Sequence, residues 1–178
     1  MARDLVIYYS RRGQNYVDGN IVNLNIGNTE KCVDAIRKIV RADLFRVETV
    51  KPYPEDYKAC TEVAKAELEE DARPELKEYL EDISGYENIF ICGPCWWGTF
   101  PRAIFSQLER LDWNGKRVLP LMTHEGSGLG DCEADLKRIC KGAKFGQGLA
   151  IQGKDAARLA KVIAAWASSQ ASHDWPNA

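Results

Sequence analysis

Short apolar runs alternate along this chain with stretches whose apolar residues recur at helical spacing. The runs at residues 5–9, 89–92 and 118–122 have the length of buried strands, and helical stripes separate and follow them. A fully apolar run is typical of a strand covered on both faces, as in a parallel sheet. The alternation therefore predicts an α/β protein with helices packed on both faces of a parallel sheet.

Two further strands and five helices complete the prediction. Residues 44–50 have the partly alternating polarity of an edge strand, and residues 145–151 form a weak, glycine-rich last strand. The helices carry the stripes Cys32, Val33, Ile36, Ile39 and Val40; Tyr57, Cys60, Ala64 and Leu68; Ile104, Phe105, Leu108 and Leu111; Leu136, Ile139 and Cys140; Leu159, Val162, Ile163 and Trp166. Pro120 lies inside the fourth strand, so we expect a local bulge there. The sequence predicts one domain over residues 1–170 and an irregular tail at 171–178.

Charge and cysteine content exclude several classes of function. With 24 basic and 26 acidic residues, the chain has no excess of positive charge for binding nucleic acid or an anionic membrane. No apolar run approaches the roughly 20 residues that span a bilayer, and the first residues do not resemble a signal peptide. The six cysteines lie mostly at apolar positions, which favours buried thiols in a reducing compartment. We therefore expect a cytoplasmic protein without a zinc site.

Three loops should meet at one edge of the sheet, because the carboxyl ends of parallel strands lie together. The loop at residues 10–29 ends by entering a helix, whose unpaired N–H groups and positive dipole end suit a phosphate. The loop at 94–100 holds two adjacent tryptophans, which indicate a flat aromatic ligand. The loop at 123–130 is rich in glycine, which lets peptide groups approach a ligand closely. The alternatives are a plain helix-capping turn for the first loop and a flexible connection for the third.

The motifs in these loops resemble those of flavodoxin-like proteins, in particular one subfamily of small FMN-binding members. They read Tyr9-Ser10-Arg11, Gly27-Asn28-Thr29, Trp96-Trp97-Gly98-Thr99 and Thr123-His124-Glu125-Gly126-Ser127-Gly128-Leu129-Gly130. The resemblance covers nearly the whole chain. It implies a doubly wound, five-stranded parallel sheet in the order 2-1-3-4-5, with FMN at the point where the order reverses.

The resemblance also implies which residues bind FMN. Ser10, Arg11, Asn28 and Thr29 would hold its phosphate; Pro94, Cys95, Trp96, Trp97, Gly98 and Thr99 would line the isoalloxazine ring; Thr123, His124, Glu125, Gly126, Ser127 and Gly130 would pack on the other side of the ring. Residues 12–26 interrupt the phosphate loop of the short family members and would place Asn15, Tyr16 and Asp18 over or beside the site, as a lid.

The implied function is redox chemistry carried out by bound FMN, with no catalytic side chain. Electrons would pass between redox partner proteins, or from NAD(P)H to a small acceptor such as a quinone. An alternative is a thioredoxin-like dithiol, because Cys92-Gly93-Pro94-Cys95 has that spacing. Cys92, however, belongs to the predicted strand and not to a helix start, where a thiol pKa would be lowered. A flavin-free binding module on the same scaffold is the other alternative.

Overall fold

The computed structural model describes residues 4–172, so residues 173–178 of the predicted tail lie outside the described part of the chain. The strands are β1 (Asp4–Tyr8), β2 (Gly13–Val17), β3 (Asn20–Leu24), β4 (Ala42–Arg46), β5 (Asn88–Pro94), β6 (Arg117–His124), β7 (Lys144–Phe145) and β8 (Leu149–Gln152). The helices are α1 (Asn28–Ile39), α2 (Tyr57–Glu69), α3 (Arg102–Leu108), α4 (Cys132–Ile139) and α5 (Ala160–Ala171), and a 3-10 turn spans Gly153–Asp155.

The main sheet is parallel throughout and confirms the predicted order. Its strands follow one another as β4-β1-β5-β6-β7, and β8 continues along the same side of β6 beyond β7. The predicted strands 2-1-3-4-5 correspond to β4, β1, β5, β6 and the pair β7/β8. The order reverses between β1 and β5, and this places the carboxyl ends of β1, β5 and β6 side by side.

Successive side chains of the central strands point into two separate cores. Leu5 and Ile7 of β1 lie in a core that also holds buried residues of α3 and α4. Val6 and Tyr8 lie in the opposite core, against α1 and α5. Because a strand has a period of two, an apolar run is covered on both faces only when helices lie on both sides of the sheet. The predicted arrangement of helices on both faces is therefore present.

Two residues of the predicted helical stripes are exposed. Ile39, the last residue of α1, is 54% exposed, and Val162 of α5 is 49% exposed. In α5 the buried residues are Ile163 and Ala167, spaced one helical turn apart. A buried stripe this narrow leaves Val162 on the solvent side of the helix, although its side chain is apolar like that of Ile163.

Pro120 lies opposite a break in the edge of the sheet. β7 pairs with residues 117–118 of β6 and β8 with residues 121–124, so residues 146–148 separate the two short strands beside Pro120. A proline donates no ladder hydrogen bond, and this break is the place on β6 where none is required. The expected irregularity is present, but it lies in the neighbouring strand, where the single predicted strand 145–151 is split in two.

Residues 12–26, expected to extend a loop, contain the antiparallel hairpin of β2 and β3. Its turn is formed by Asp18 (φ 50°) and Gly19 (φ 84°). Both positions require the left-handed region, and Asp-Gly is one of the dipeptides that favour such a two-residue hairpin turn. The turn signal was thus present in the sequence.

Candidate functional site

A cavity of about 360 Å³ lies at the carboxyl edge of the sheet, where β1, β5 and β6 end. Of the sixteen residues predicted to bind a ligand, twelve line it: Ser10, Arg11, Asn28, Thr29, Pro94, Cys95, Trp96, Thr123, His124, Glu125, Gly126 and Ser127. The remaining walls come from Asn15 and Tyr16 of the hairpin, Tyr57 of α2 and Gly153. The structure therefore brings the three predicted loops together around one space.

The first turn of α1 forms the polar end of this cavity. Ser10 is buried, and its Oγ accepts the N–H of Glu30 at 3.1 Å. The N–H groups of Asn28 and Thr29 precede it in the same turn, where the geometry of a helix provides no acceptor within the helix. The hydroxyls of Thr29 and Thr123 are 2.8 Å apart and fix α1 against β6. The result is a rigid set of N–H donors at the positive end of a helix, which is suited to an oxyanion.

Residue 27, the N-cap of α1, must be glycine because Ser10 and Arg11 lie very close to it. Its backbone angles do not require glycine. Its φ of −64° is accessible to any residue. A Cβ at this position, however, would overlap Ser10 Oγ and lie 2.6 Å from the carbonyl oxygen of Arg11. The missing side chain lets the segment after β1 lie directly against the start of α1.

Arg11 lines the cavity, but most of its guanidinium is engaged by the backbone. Nε donates to the carbonyl of Gln14 at 2.8 Å. Nη2 donates to the carbonyls of Pro54 and Glu55 at 2.9 and 2.8 Å. Arg11 therefore joins the base of the hairpin to the segment that precedes α2.

Glu30 places a carboxylate in the first turn of α1, and two arginines pair with it. The guanidinium of Arg12 makes two hydrogen bonds to it, at 2.7 and 3.1 Å, and Arg46 lies 3.5 Å away. The hydrogen bonds from Arg12, which outweigh the opposing effect of burial, hold the pKa of Glu30 below its usual value. The paired carboxylate stays ionised, while the arginines offset the repulsion it would exert on an anion at this helix end.

The hairpin forms one side of the cavity and is held at its tip. The N–H of Asp18 donates to Glu125 Oε2 at 3.0 Å. The carboxylate of Asp18 lies 3.5 Å from Lys154 Nζ. Nearer the base, the ring of Tyr16 stacks on that of Tyr57, with centroids 6.1 Å apart and planes 24° apart. Residues 13–24 thus form a wall of the site that contacts both α2 and the loop after β6.

The two adjacent tryptophans have different surroundings. Trp96 lines the cavity and makes edge-to-face contacts with Tyr9 and Tyr53, at centroid distances of 5.1 and 4.9 Å. Trp97 does not line this cavity and is 51% exposed. Its Nε1 donates to the carbonyl of Thr61 on α2 at 2.9 Å. Trp96 is therefore the indole that could lie against a ligand in this space.

Gly98, Thr99 and Gly130 lie behind the cavity wall and shape it. Gly98 (φ 90°) completes a tight turn in which the N–H of Trp96 donates to the carbonyl of Thr99 at 2.8 Å. The carbonyl of Gly98 accepts the N–H of Asp131 at 2.7 Å. Gly130 (φ 51°) packs directly on that carbonyl, where a Cβ would overlap it. These residues connect the loop after β5 to the loop after β6.

His124 organises the loop after β6 through one ring nitrogen. Its Nδ1 accepts the N–H groups of Gly126 and Gly128, at 2.9 and 3.1 Å. An Nδ1 that accepts two hydrogen bonds carries no proton, so the imidazole is neutral. Burial lowers the pKa of His124, against a smaller opposing effect of Glu125.

Acidification should therefore loosen this loop and destabilise the protein. The unfolded chain takes up the proton at the ordinary histidine pKa, near 6.5, and the folded chain only at a lower pH. The contribution of His124 to stability is thus unchanged above about pH 6.5 and is lost progressively as the pH falls below it. Urea unfolding of the wild type and of His124→Asn between pH 8 and 5 measures this effect. The asparagine keeps an acceptor without titrating, so its midpoint should fall less; parallel curves would contradict the assignment.

Cys92 and Cys95 do not form an accessible dithiol. Cys92 is fully buried in the core against α1 and α5, and burial raises the pKa of its thiol. Cys95 is partly buried against the opposite core, on the other face of the sheet. A nucleophilic dithiol needs an exposed thiol of lowered pKa, so the structure does not support the thioredoxin-like alternative.

Residues 4–172 contain no group of three or more His, Cys, Asp and Glu side chains that could hold a metal ion. In the same part of the chain, no helix is both long enough and apolar enough to cross a membrane.

The sheet order defines a doubly wound α/β protein, with a cavity at the carboxyl edge beside the point where the order reverses. The chain belongs to the flavodoxin family, since residues 22–169 match the family model described as flavodoxin. No match is found among curated proteins.

Several solved structures share this fold. A protein of Bacteroides eggerthii, assigned as a flavoprotein, is 25% identical, with 92% of this chain and 99% of that chain covered and a TM-score of 0.68. A flavoprotein of Lactobacillus acidophilus in complex with FMN is 16% identical, with 89% and 98% covered and a TM-score of 0.61. A flavodoxin of Fusobacterium nucleatum bound to flavin mononucleotide is 16% identical, with 93% and 95% covered and a TM-score of 0.52.

Proposed function

We propose that this protein binds FMN in the cavity at the carboxyl edge of the sheet and functions in oxidation–reduction. The observation that carries the proposal is the meeting of a helix start, an indole and a glycine-rich loop around one space. Membership of the flavodoxin family and the similarity to two structures that contain FMN support it.

The donors and surfaces of the cavity fit the parts of FMN. The N–H groups of Asn28 and Thr29 would hold the phosphate, because Gly27 keeps that turn free of a side chain. Trp96 and the loop at residues 123–127 would enclose the ring. When bound, FMN supplies reversible uptake of one or two electrons.

The protein would contribute binding, exclusion of water and electrostatics. The hairpin forms one side of the cavity, and the hydrogen bond from Asp18 to Glu125 would hold it beside the bound ring. The carboxylate of Glu125 and the apolar face of Trp96 both disfavour additional negative charge in this space. We therefore expect the protein to lower the reduction potential of FMN relative to that of FMN in water.

Replacing Trp96 by alanine should weaken FMN binding at least tenfold, because the wall against the ring is lost. Titration of the purified, flavin-free protein with FMN, followed by quenching of flavin fluorescence, measures the affinity. Trp166→Ala is the matched control, since Trp166 also makes an edge-to-face contact, with Phe90 at 5.6 Å, but in the opposite core. Undiminished affinity in Trp96→Ala would contradict the placement of the ring, and a wild type that binds no FMN would refute the proposal.

Bound FMN could either reduce a small acceptor with electrons from NAD(P)H or transfer electrons between proteins. We favour the first of these functions. A formal net charge of −2 gives little electrostatic steering towards a protein partner. Rapid oxidation of NAD(P)H by the loaded protein in the presence of a quinone supports the favoured use. Reduction in two separate one-electron steps, without NAD(P)H oxidation, supports the carrier.

A further inference from the structure

A second cavity, of about 310 Å³, adjoins the first. The two share the wall formed by Arg11, Asn15, Tyr57, Cys95 and Trp96. The second cavity is also lined by Trp97 and by the face of α2 that carries Cys60, Thr61 and Ala64. A molecule in this space would be separated from one in the first cavity only by the shared wall.

The lining of the second cavity suits a flat and largely apolar molecule. It contains both indoles, the phenol ring of Tyr57 and the methyl group of Ala64. It does not include the start of α1, which supplies the oxyanion donors of the first cavity. Arg11 is the one residue among those lining it that carries a full charge.

Arg11 lines this space with a guanidinium whose hydrogen-bond donors are only partly used. A guanidinium has five N–H donors, and the carbonyls of Gln14, Pro54 and Glu55 use three of them, through Nε and Nη2. The other two are on Nη1. The thiol of Cys60, which also lines the second cavity, interacts with the guanidinium of Arg11 and is only a weak acceptor. A carbonyl oxygen of a ligand would be a much stronger acceptor for these donors, and Arg11 would stabilise negative charge that develops on it.

The outer wall is held in a strained conformation. Trp97 has a φ of 56°, in the left-handed region that a bulky residue rarely adopts. The hydrogen bond from its Nε1 to Thr61 and the ammonium of Lys65, 5.6 Å from its ring centroid, fix the indole across α2. Such strain concentrates at ligand sites, and here it places an aromatic surface over the second cavity.

We infer that the second cavity binds the electron acceptor, an uncharged, flat compound with a carbonyl conjugated to its ring, of which quinones are the reducible class. The inference rests on the proposed binding of FMN in the first cavity. The acceptor would take two electrons and two protons, which are the equivalents that bound FMN would supply in its fully reduced form. Both quinone C=O groups would then become C–OH, and the hydroquinone would leave.

Ala64→Leu tests this inference, because it fills the cavity from α2 and replaces none of the residues predicted to bind FMN. Ala66→Leu is the matched control, the same substitution at an exposed position of the same helix. The full-length proteins are loaded with FMN, photoreduced without oxygen and mixed with 1,4-naphthoquinone, while recovery of oxidised flavin absorbance is followed. The wild type and Ala66→Leu should show rates that saturate with quinone concentration. Ala64→Leu should retain FMN and react at least tenfold more slowly at low quinone concentration.

A second measurement needs no flavin. Naphthoquinone added to the ¹⁵N-labelled, flavin-free protein should shift the indole N–H signal of Trp97, identified by its loss in Trp97→Phe, and Ala64→Leu should abolish the shift. Equal rates in both leucine variants, a rate that rises linearly without saturation, or an unmoved Trp97 signal would each overturn the inference. Failure of the wild type to bind FMN would refute the proposed function instead, and the signal of Trp97 would still decide whether the second cavity binds the quinone.

Discussion

Replacing Gly27 by alanine is expected to weaken FMN binding by roughly 5- to 150-fold. The added Cβ overlaps Ser10 Oγ and the carbonyl of Arg11, so the segment after β1 must move away from the start of α1. Overpacking of this kind costs about 1–3 kcal/mol, and the same amount lost from binding gives that change in affinity. The N–H groups of Asn28 and Thr29 would then no longer converge on one point. Isothermal titration with FMN measures the effect.

Gly85→Ala is the matched control for this prediction. A Cβ at Gly85 meets no atom within 4 Å, and its backbone does not require glycine. Its FMN affinity and its urea midpoint should therefore equal those of the wild type. Wild-type affinity in Gly27→Ala would show that the close approach of the two segments is unnecessary for binding.

Replacing Gly130 by alanine should cause the largest loss of stability at the site. Alanine at a φ of 51° costs about 1–2 kcal/mol for the left-handed conformation alone. Its Cβ would also overlap the carbonyl of Gly98 and displace the N–H of Asp131 from that oxygen, which adds about 1–3 kcal/mol. Urea unfolding with a two-state fit gives the change in the free energy of unfolding.

Gly128→Ala separates the two contributions, because Gly128 has a φ of 63° but a Cβ at this position would meet no atom within 4 Å. Gly128→Ala should therefore lose only the part of the stability that comes from the left-handed backbone conformation. If both variants are destabilised equally, the contact between Gly130 and Gly98 contributes nothing, and the connection between the two loops must be re-examined.

The parallel sheet could be predicted because the composition of a strand indicates whether one of its faces or both faces are buried. Residues 89–92 are apolar throughout, and this pattern is stable only between two helical layers. The hairpin was wrongly expected to be a loop, although Asp18-Gly19 is a hairpin turn signal. Its strands are short and mix polar with apolar residues. The packing of Tyr16 on Tyr57, which holds them, joins residues far apart in sequence.

The residues of the candidate site that lie at the ends of strands could be predicted from the sequence. Ser10 and Trp96 follow buried strands and His124 is the last residue of one, so one sheet edge brings them together. Tyr57 and Gly153 could not be found in this way, because each reaches the cavity through packing between elements. The separate surroundings of Trp96 and Trp97 likewise depend on a backbone turn that the sequence does not specify.

The split edge of the sheet, opposite Pro120, also affects how copies of this protein meet. An unbroken outer strand exposes a regular row of N–H and C=O groups, which is a template for strands of other molecules. Here β7 has two residues and β8 has four, with residues 146–148 between them. No neighbouring chain can extend a regular ladder along so short and interrupted a row, so this margin of the domain is protected against edge-to-edge aggregation.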